Sequence, residues 1–284
     1  MKLKSPPVNL PLTQSRCVLV LCAWVGATAQ AGEFDCVIEP RQVIELRSPI
    51  EGLIERINVD RGSLVKKGQE LVVLDSAVDR AQAAISRQRA QMEGAVRSSE
   101  SRVEFTTAKA ARLHELHGQN FISAQGRDEA ATEKRLADAE LRDAQDNRKL
   151  AELDLARQLE IIRLKTIHSP IDGVVVERML HPGELAESGV GRKPLLKIAQ
   201  IDVLHVEVLL RADAWGKVAL GTLIEVSPDL PAKPRYRATV KVIDRVLDAA
   251  SGTFGVRLEL PNPQRQIPAG IRCRASFPGI ERTK

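Results

Sequence analysis

One feature narrows the choice of fold more than any other: the sequence repeats itself once, across a long gap. Ser48-Pro49-Ile50-Glu51-Gly52-Leu53-Ile54 returns as Ser169-Pro170-Ile171-Asp172-Gly173-Val174-Val175 at an offset of 121, and Gly62/Gly183, Leu64/Leu185 and Leu74/Leu195 keep that offset. In each copy a proline starts an edge strand, a glycine permits a tight bend, and a later glycine marks a turn before another apolar strand. Two such half-motifs can pair into one small sandwich.

The stretch between the copies has a different character. All fifteen prolines lie outside residues 50 to 169, and between Gly68 and Gly173 the only glycines are Gly94, Gly118 and Gly126. This predicts long helices over about 76–165. Val78, Ile85, Met92, Ser99, Thr106 and Leu113 recur every seven residues, with Val96, Val103 and Ala110 displaced by four, which predicts a heptad seam. A first helix from Ser76 to His117 would rise roughly 63 Å. The polar run His117-Gly118-Gln119-Asn120 then turns the chain, and a second helix, Ser123 to Leu164, returns with Leu136, Leu150, Leu153, Leu155, Leu159 and Ile162. A charged hairpin anchored only at its base reads as a reaching arm rather than an enzyme core.

Beyond Gln200 the pattern is that of a small antiparallel barrel. Strands are expected at Leu204–Leu210, Leu223–Val226, Ala238–Val242, Phe254–Leu260 and Ile271–Phe277, with one short helix over Arg211–Val218. The expected fold is therefore α+β and elongated: a split sandwich, an inserted antiparallel coiled-coil hairpin and a barrel. The division is 1–31 signal peptide, 32–75 N-terminal segment and first half-motif, 76–165 hairpin, 166–200 second half-motif, 201–278 barrel and 279–284 tail.

The leader reading rests on a basic start, an apolar run from Cys17 to Thr28 and the small-x-small site Ala29-Gln30-Ala31. Twelve apolar residues fall short of the roughly twenty that span a bilayer. The whole chain carries a net charge of +5, but Lys2, Lys4 and Arg16 belong to the leader, so the remainder is close to neutral. Only 3% of residues are aromatic, which argues against base-stacking nucleic-acid platforms. After removal of the leader only Cys36 and Cys273 remain, without a CxxC or a Cys/His cluster for a structural zinc. In an oxidising compartment they form either one disulfide or two separate buried thiols. His114 and His117 flank Glu115 near the hairpin turn, where two solvated histidines are a better account than a metal site. No phosphate loop and no nucleophile with a base at recognisable spacing occurs, so no catalytic residue, cofactor or metal is expected.

The run Ile50-Glu51-Gly52-Leu53-Ile54 through Gly62-Ser63-Leu64-Val65-Lys66-Lys67-Gly68-Gln69-Glu70-Leu71 resembles the biotinyl/lipoyl hammerhead half-motif. Taken with the second half, it is similar to the split lipoyl domain of the periplasmic adaptor, or membrane fusion, proteins of tripartite efflux pumps. In that family a helical hairpin separates the halves. The run from Asp248 through Ser251-Gly252-Thr253-Phe254-Gly255-Val256-Arg257, with Asn262-Pro263 and Pro268-Ala269-Gly270-Ile271, looks like the adaptor barrel signature. A lipoyl or biotinyl carrier would need a modified lysine where its halves join. This chain reads Asp75-Ser76-Ala77-Val78-Asp79-Arg80 there, and Lys66 and Lys67 precede a glycine turn instead.

The resemblance implies a non-enzymatic periplasmic adaptor, in a ring of six copies, between an inner-membrane transporter and a TolC-like outer-membrane channel. Arg112, Leu116 and Ser123 fit the Arg-x3-Leu-x6-Ser pattern with which similar adaptors engage the channel. The bland alternative makes Leu116 core, Ser123 a helix cap and Arg112 a solvated charge. Because both chain ends of an adaptor return to the barrel layer, the resemblance also implies a Cys36–Cys273 disulfide. Only Pro278–Lys284 follow the last strand, so a further membrane-proximal domain is not expected, and the pump class stays open between proton-driven (resistance-nodulation-division) and ATP-driven (ABC). The other reading is a coiled-coil scaffold of a different envelope secretion apparatus.

Overall fold

A computed structural model describes residues 1–3, 31–189, 191–232 and 234–280. The leader and its cleavage site fall almost wholly outside them. After one long strand, β1 (Ala31–Leu46), the first half-motif forms β2 (Gly52–Ile57), β3 (Leu64–Val65) and β4 (Glu70–Leu74). The helices α1 (Ala77–Ala90), α2 (Gly94–Gly118) and α3 (Ala124–Leu164) follow. The second half-motif forms β5 (Thr166–His168), β6 (Gly173–Arg178) and β7 (Leu185–Ala186), and then come β8 (Leu196–Arg211), β9 (Leu223–Pro228), β10 (Tyr236–Ile243), β11 (Thr253–Pro261) and β12 (Ile271–Pro278).

The sequence repeat is a structural repeat, and its two halves trade strands. β2 and β6, like β3 and β7, begin and end at the same offset of 121. Gly52 and Leu53 pair with Ala186 and Leu185, while Gly173 and Val174 pair with Val65 and Leu64. The turns repeat too: the N–H of Gly62 donates to Val175 O (2.8 Å) and that of Gly183 to Ile54 O (2.9 Å), with φ near +86° and +87°. These left-handed values explain why both turn positions are glycine. The Ser48 hydroxyl donates to Ile50 O and that of Ser169 to Ile171 O (2.6 Å). Ile54 and Val175, Val65 and Ala186, and Leu74 and Leu195 are buried as equivalent pairs in one core between a β5-β4-β2-β7 layer and a layer containing β8, β6 and β3.

The barrel holds a second core. Six antiparallel strands run β1-β12-β9-β10-β11-β8 and close by β8 pairing with β1. Five of them lie where the sequence predicts; the sixth is the first half of β1, where Phe34, Cys36 and Ile38 alternate inward. β1 and β8 stay paired from Cys36↔Val208 to Leu46↔Leu196, so one two-stranded ribbon belongs to both cores. Asn262 is buried and fully bonded, donating to Ile201 O (2.8 Å) and Ile267 O (2.9 Å) and accepting from Ile267 N–H (3.1 Å). The helix expected over Arg211–Val218 shrinks to a 3-10 turn, Ala212–Ala214; Gly216 at φ +81° lies beyond it.

The hairpin corrects two expectations. Its outgoing arm is two helices, interrupted at Gln91–Glu93 just before Gly94, rather than one from Ser76 to His117. The predicted seam holds in α2, where Val96 and Thr106 are buried and Ser99, Val103, Ala110 and Leu113 half-buried. In α1 it does not: Ala83 and Ser86 are buried, whereas Val78 is 81% exposed and Ile85 and Met92 are exposed. On α3 the row facing the outgoing arm is Ala130, Lys134, Ala137, Leu141, Ala144, Arg148, Ala151, Leu155, Gln158 and Ile162, all buried or half-buried at alternating spacings of four and three. Leu136, Leu150, Leu153 and Leu159 are exposed. Small residues let the helices approach, and polar pairs between the arms hold the antiparallel register: Ser86 to Asp154 (2.7 Å), Lys109 to Glu133 (2.7 Å) and Arg102 to Glu140 (3.5 Å). Hydrogen bonds from Ser86 and then Arg157 hold the Asp154 carboxyl below its ordinary pKa.

The two repeated glycines are not equivalent. A Cβ on Gly173 would stand 2.4 Å from the backbone O of Ala199, whereas one on Gly52 would meet only the Leu74 side chain, at 3.3 Å. Gly173→Ala is therefore expected to destabilise the chain by about 1–3 kcal/mol and Gly52→Ala by less than about 1 kcal/mol. Urea midpoints of the two variants, with m-values unchanged, provide the comparison.

Candidate functional site

The hairpin turn is built by local backbone chemistry. α2 ends at Gly118, and Asn120 adopts the left-handed conformation (φ +62°), which asparagine tolerates better than most residues. The N–H of Asn120 donates to His117 O (2.9 Å) and that of Phe121 to Leu116 O (2.9 Å), the two bonds of a Schellman cap. His117 is half-buried with Nδ1 3.1 Å from Ile122 O, an Nδ1 proton joining them across the turn. Ser123 starts α3 by accepting from Gly126 N–H (3.3 Å) through its hydroxyl.

Arg112, Leu116 and Ser123 all lie on this tip. Arg112 is exposed and its Nε is 3.4 Å from Ala108 O. Leu116, one turn further on, is 38% exposed and lies outside the buried row, which passes through Leu113 and His117. The serine thus caps the helix, as the bland alternative has it, but the leucine does not behave as core. Phe121, which the motif omits, is 73% exposed at the apex. Its signal in the sequence is its position, an aromatic residue alone between two helices in a chain poor in aromatics. With Leu116 it gives the tip an apolar element that water solvates badly.

At the base, Lys165 joins the arms to the sandwich. Its ammonium pairs with Asp79 and donates to Asp75 O (2.7 Å), while the Leu74 N–H donates to Lys165 O (2.8 Å). The place where a carrier would display a modified lysine thus holds a helix base whose nearest lysine is engaged and largely covered. Lys66 and Lys67 are exposed beside Gly68 (φ +81°), and the Lys67 backbone N–H donates to Asp172 (2.8 Å). Among the described residues no group of three or more His, Cys, Asp or Glu side chains converges as a metal site. No described helix is long and apolar enough to cross a membrane.

In the barrel, Cys36 and Cys273 are directly opposed between β1 and β12, with Cα atoms 4.8 Å apart and sulfurs at 2.11 Å. Both side chains point into the barrel core.

The family profile described as the CzcB-like barrel-sandwich hybrid domain matches residues 42–191, just over half of the chain, taking in the hairpin and most of both half-motifs. The chain belongs to that family. Similar curated proteins include "Multidrug export protein AcrE" of Escherichia coli strain K12, 24% identical over 82% of this chain and 60% of its own length. "Efflux pump periplasmic linker BepD" of Brucella suis biovar 1 is 24% identical over 88% of this chain and 63% of its own length. The chain thus spans about three fifths of the curated relatives it matches. Among solved structures, MacA from Actinobacillus actinomycetemcomitans shares the fold at a TM-score of 0.75 with 20% identity, covering 88% of this chain and 79% of MacA.

Because the junction that carries cofactor in lipoyl and biotinyl domains is here a helix base, no lysine is expected to bear either group. Intact mass spectrometry of the protein should show no lipoyl or biotinyl increment.

Proposed function

We propose that the protein is a non-catalytic adaptor of the cell envelope, bridging an inner-membrane transporter and a TolC-like outer-membrane channel in a tripartite efflux or secretion system. The observation that carries this reading is the tip: an arm more than forty residues long ends in exposed Leu116 and Phe121 with Arg112 one turn away. The names of the similar proteins, among them an efflux pump periplasmic linker, support the same reading.

In this reading residues 1–31 are a cleaved signal peptide, the mature chain is an elongated periplasmic protein, and the hairpin is a coiled coil inserted at 76–165. The half-motifs (32–75 and 166–200) and the barrel (201–278) form the layers of a ring, which we propose to be a hexamer. Exposed Leu136, Leu150, Leu153 and Leu159 on α3, and Ile85, Met92 and Phe105 on the outgoing arm, support lateral packing of neighbouring hairpins. The inner-membrane partner is a transporter of the resistance-nodulation-division or ABC class. At the tip, Arg112 donates to carbonyls at the ends of channel helices and Leu116 fills an apolar groove between them, with Ser123 beside them. We also propose that Cys36 and Cys273 form a disulfide in the exported protein, tying the chain's two ends across β1 and β12.

Each adaptor would contact the channel over a small area, so binding depends on one anchor repeated around the ring. Leu116→Asp is expected to abolish transport and channel cross-linking while helix content and export stay unchanged. Arg112→Asp should act nearly as strongly, and Gln119→Ala should have little effect. Normal cross-linking and transport in the Leu116→Asp strain would overturn the assignment, and melting of the hairpin by the same change would mark Leu116 as structural.

Non-reducing peptide mapping of exported protein is expected to recover a Cys36–Cys273 peptide. Replacing both cysteines by alanine should then lower stability by about 2–5 kcal/mol, with two free thiols in the parent protein as the contrary result.

A further inference from the structure

Each arm of the hairpin carries an exposed row that the other arm does not cover. On α2, Ser98, Phe105 and Arg112 recur every seven residues, each two residues after one member of the seam between the arms and one before the next. On α3, Glu129, Leu136, Asp143 and Leu150 hold that same placement against their own seam. At about 100° per residue each of them leans roughly 130° away from the other arm, and the antiparallel course puts both rows on one broad side of the hairpin, at its opposite edges. Phe105 is accordingly 59% exposed, Leu136 61% and Leu150 63%. Among the described residues the ion pairs between the arms are Arg102–Glu140, Lys109–Glu133 and Lys165–Asp79, so Arg112 and Glu129 are not joined within the chain.

The bonds between the arms give both rows a common ruler. Phe105 stands three residues tipward of Arg102 and Leu136 four tipward of Glu140, so the two share a level. Arg112 and Glu129 share the next one, three and four residues beyond Lys109–Glu133. Ser98 and Asp143 lie four and three residues baseward of Arg102–Glu140. Met92, 63% exposed in the break between α1 and α2, stands six residues tipward of Ser86, and Leu150 four tipward of its partner Asp154. Level by level, the outgoing edge presents a cation, a ring, a hydroxyl and a thioether where the returning edge presents a carboxylate, a leucine, a carboxylate and a leucine. Edges that match at equal heights suit a second copy of the same chain standing alongside and parallel, because rotation about an axis along the arms changes no height. An arm of 41 residues is roughly 60 Å long, and contact along a strip about 10 Å wide hides roughly 1,200 Å² over both partners, the lower limit of a standard interface.

We infer that neighbouring copies pack parallel and in level register, the outgoing arm of one against the returning arm of the next. Phe105 then meets Leu136, Met92 meets Leu150, Ser98 donates to Asp143 and Arg112 pairs with Glu129. The register rests on the ring proposed above and assigns the residues that hold its hairpins side by side. Glu129 accepts from Gln125 through one oxygen only (2.9 Å), and the five donors of the Arg112 guanidinium suffice for a neighbour and a channel together.

Two singly substituted full-length chains, Phe105→Cys and Leu136→Cys, produced together in cells and oxidised, are expected to give a mixed disulfide dimer. Met92→Cys with Leu150→Cys should do the same. Phe105→Cys with Leu150→Cys, offset by roughly 21 Å along the arm, should link about tenfold less, and neither chain should link to a copy of itself. With Phe105→Cys and Leu136→Cys in one chain, the covalent ladder should climb past the dimer. All four positions are exposed, so circular dichroism should not change. Equal yields from matched and offset pairs, no link at either matched level, or self-linked Phe105→Cys would overturn the register. So would a ladder that stops at the dimer, which would mark a face-to-face pair instead. Transport that persists without matched links removes the lateral register alone, whereas matched links with a silent Leu116→Asp remove the channel contact alone.

Discussion

The reciprocal exchange of strands between the half-motifs is the constraint on which the rest of the molecule hangs. β2 finds its partner in β7 and β3 in β6, so neither half can satisfy its backbone or cover its core until the other arrives. That requirement holds the two ends of the inserted segment side by side, because β4, which leads into α1, pairs with β5, which leaves α3. A long helical pair can then project from one point without any support beyond its base. The ion pair of Lys165 with Asp79 and the bond to Asp75 O fix the arm where it leaves the sheet.

The β1–β8 ribbon transmits this geometry to the barrel. Its strands are sixteen residues each and contribute to both cores without a linker. Sandwich and barrel are thus joined by a hydrogen-bonded ladder, interrupted only by an irregularity at Pro40–Gln42, where proline cannot donate. Rotation of one against the other would have to break that ladder, which distinguishes this junction from an ordinary interdomain connection. The tip and the barrel are therefore positioned by one continuous framework.

Much of this was legible because the informative residues act locally. Glycine at a left-handed turn and serine bonding two residues ahead mean the same thing in both copies, so the repeat survived into strand boundaries and hydrogen bonds. The barrel strands followed from alternation. The sequence was less legible where packing outweighed hydrophobicity. In the hairpin, Ala83, Ser86, Ala130 and Ala137 are covered because small side chains allow close approach, while Val78, Leu136 and Leu150 face outward, so the bulky apolar residues pointed to the wrong row. The helix break at Gln91–Glu93 has only the weak marker Gly94, and the polar pairing of Lys165 with Asp79 has none, since its partners lie far apart in the chain. At the tip the motif residues were found, whereas Phe121 emerged only once the Schellman cap put it at the apex.

The separation of the half-motifs also orders the search for the native state. Bringing two segments together across more than a hundred intervening residues carries a large loop entropy, and the short strands involved repay little until all of them are in place. The hairpin shortens that search. Residues 119–123 close a tight turn whose contacts are only a few positions apart, and each further contact down the arms, from Lys109–Glu133 through Arg102–Glu140 to Ser86–Asp154, encloses only a slightly larger loop. By the time Asp79 meets Lys165 the half-motifs are already neighbours. The arm that reaches outward in the finished molecule is, during folding, the zipper that draws the sandwich closed.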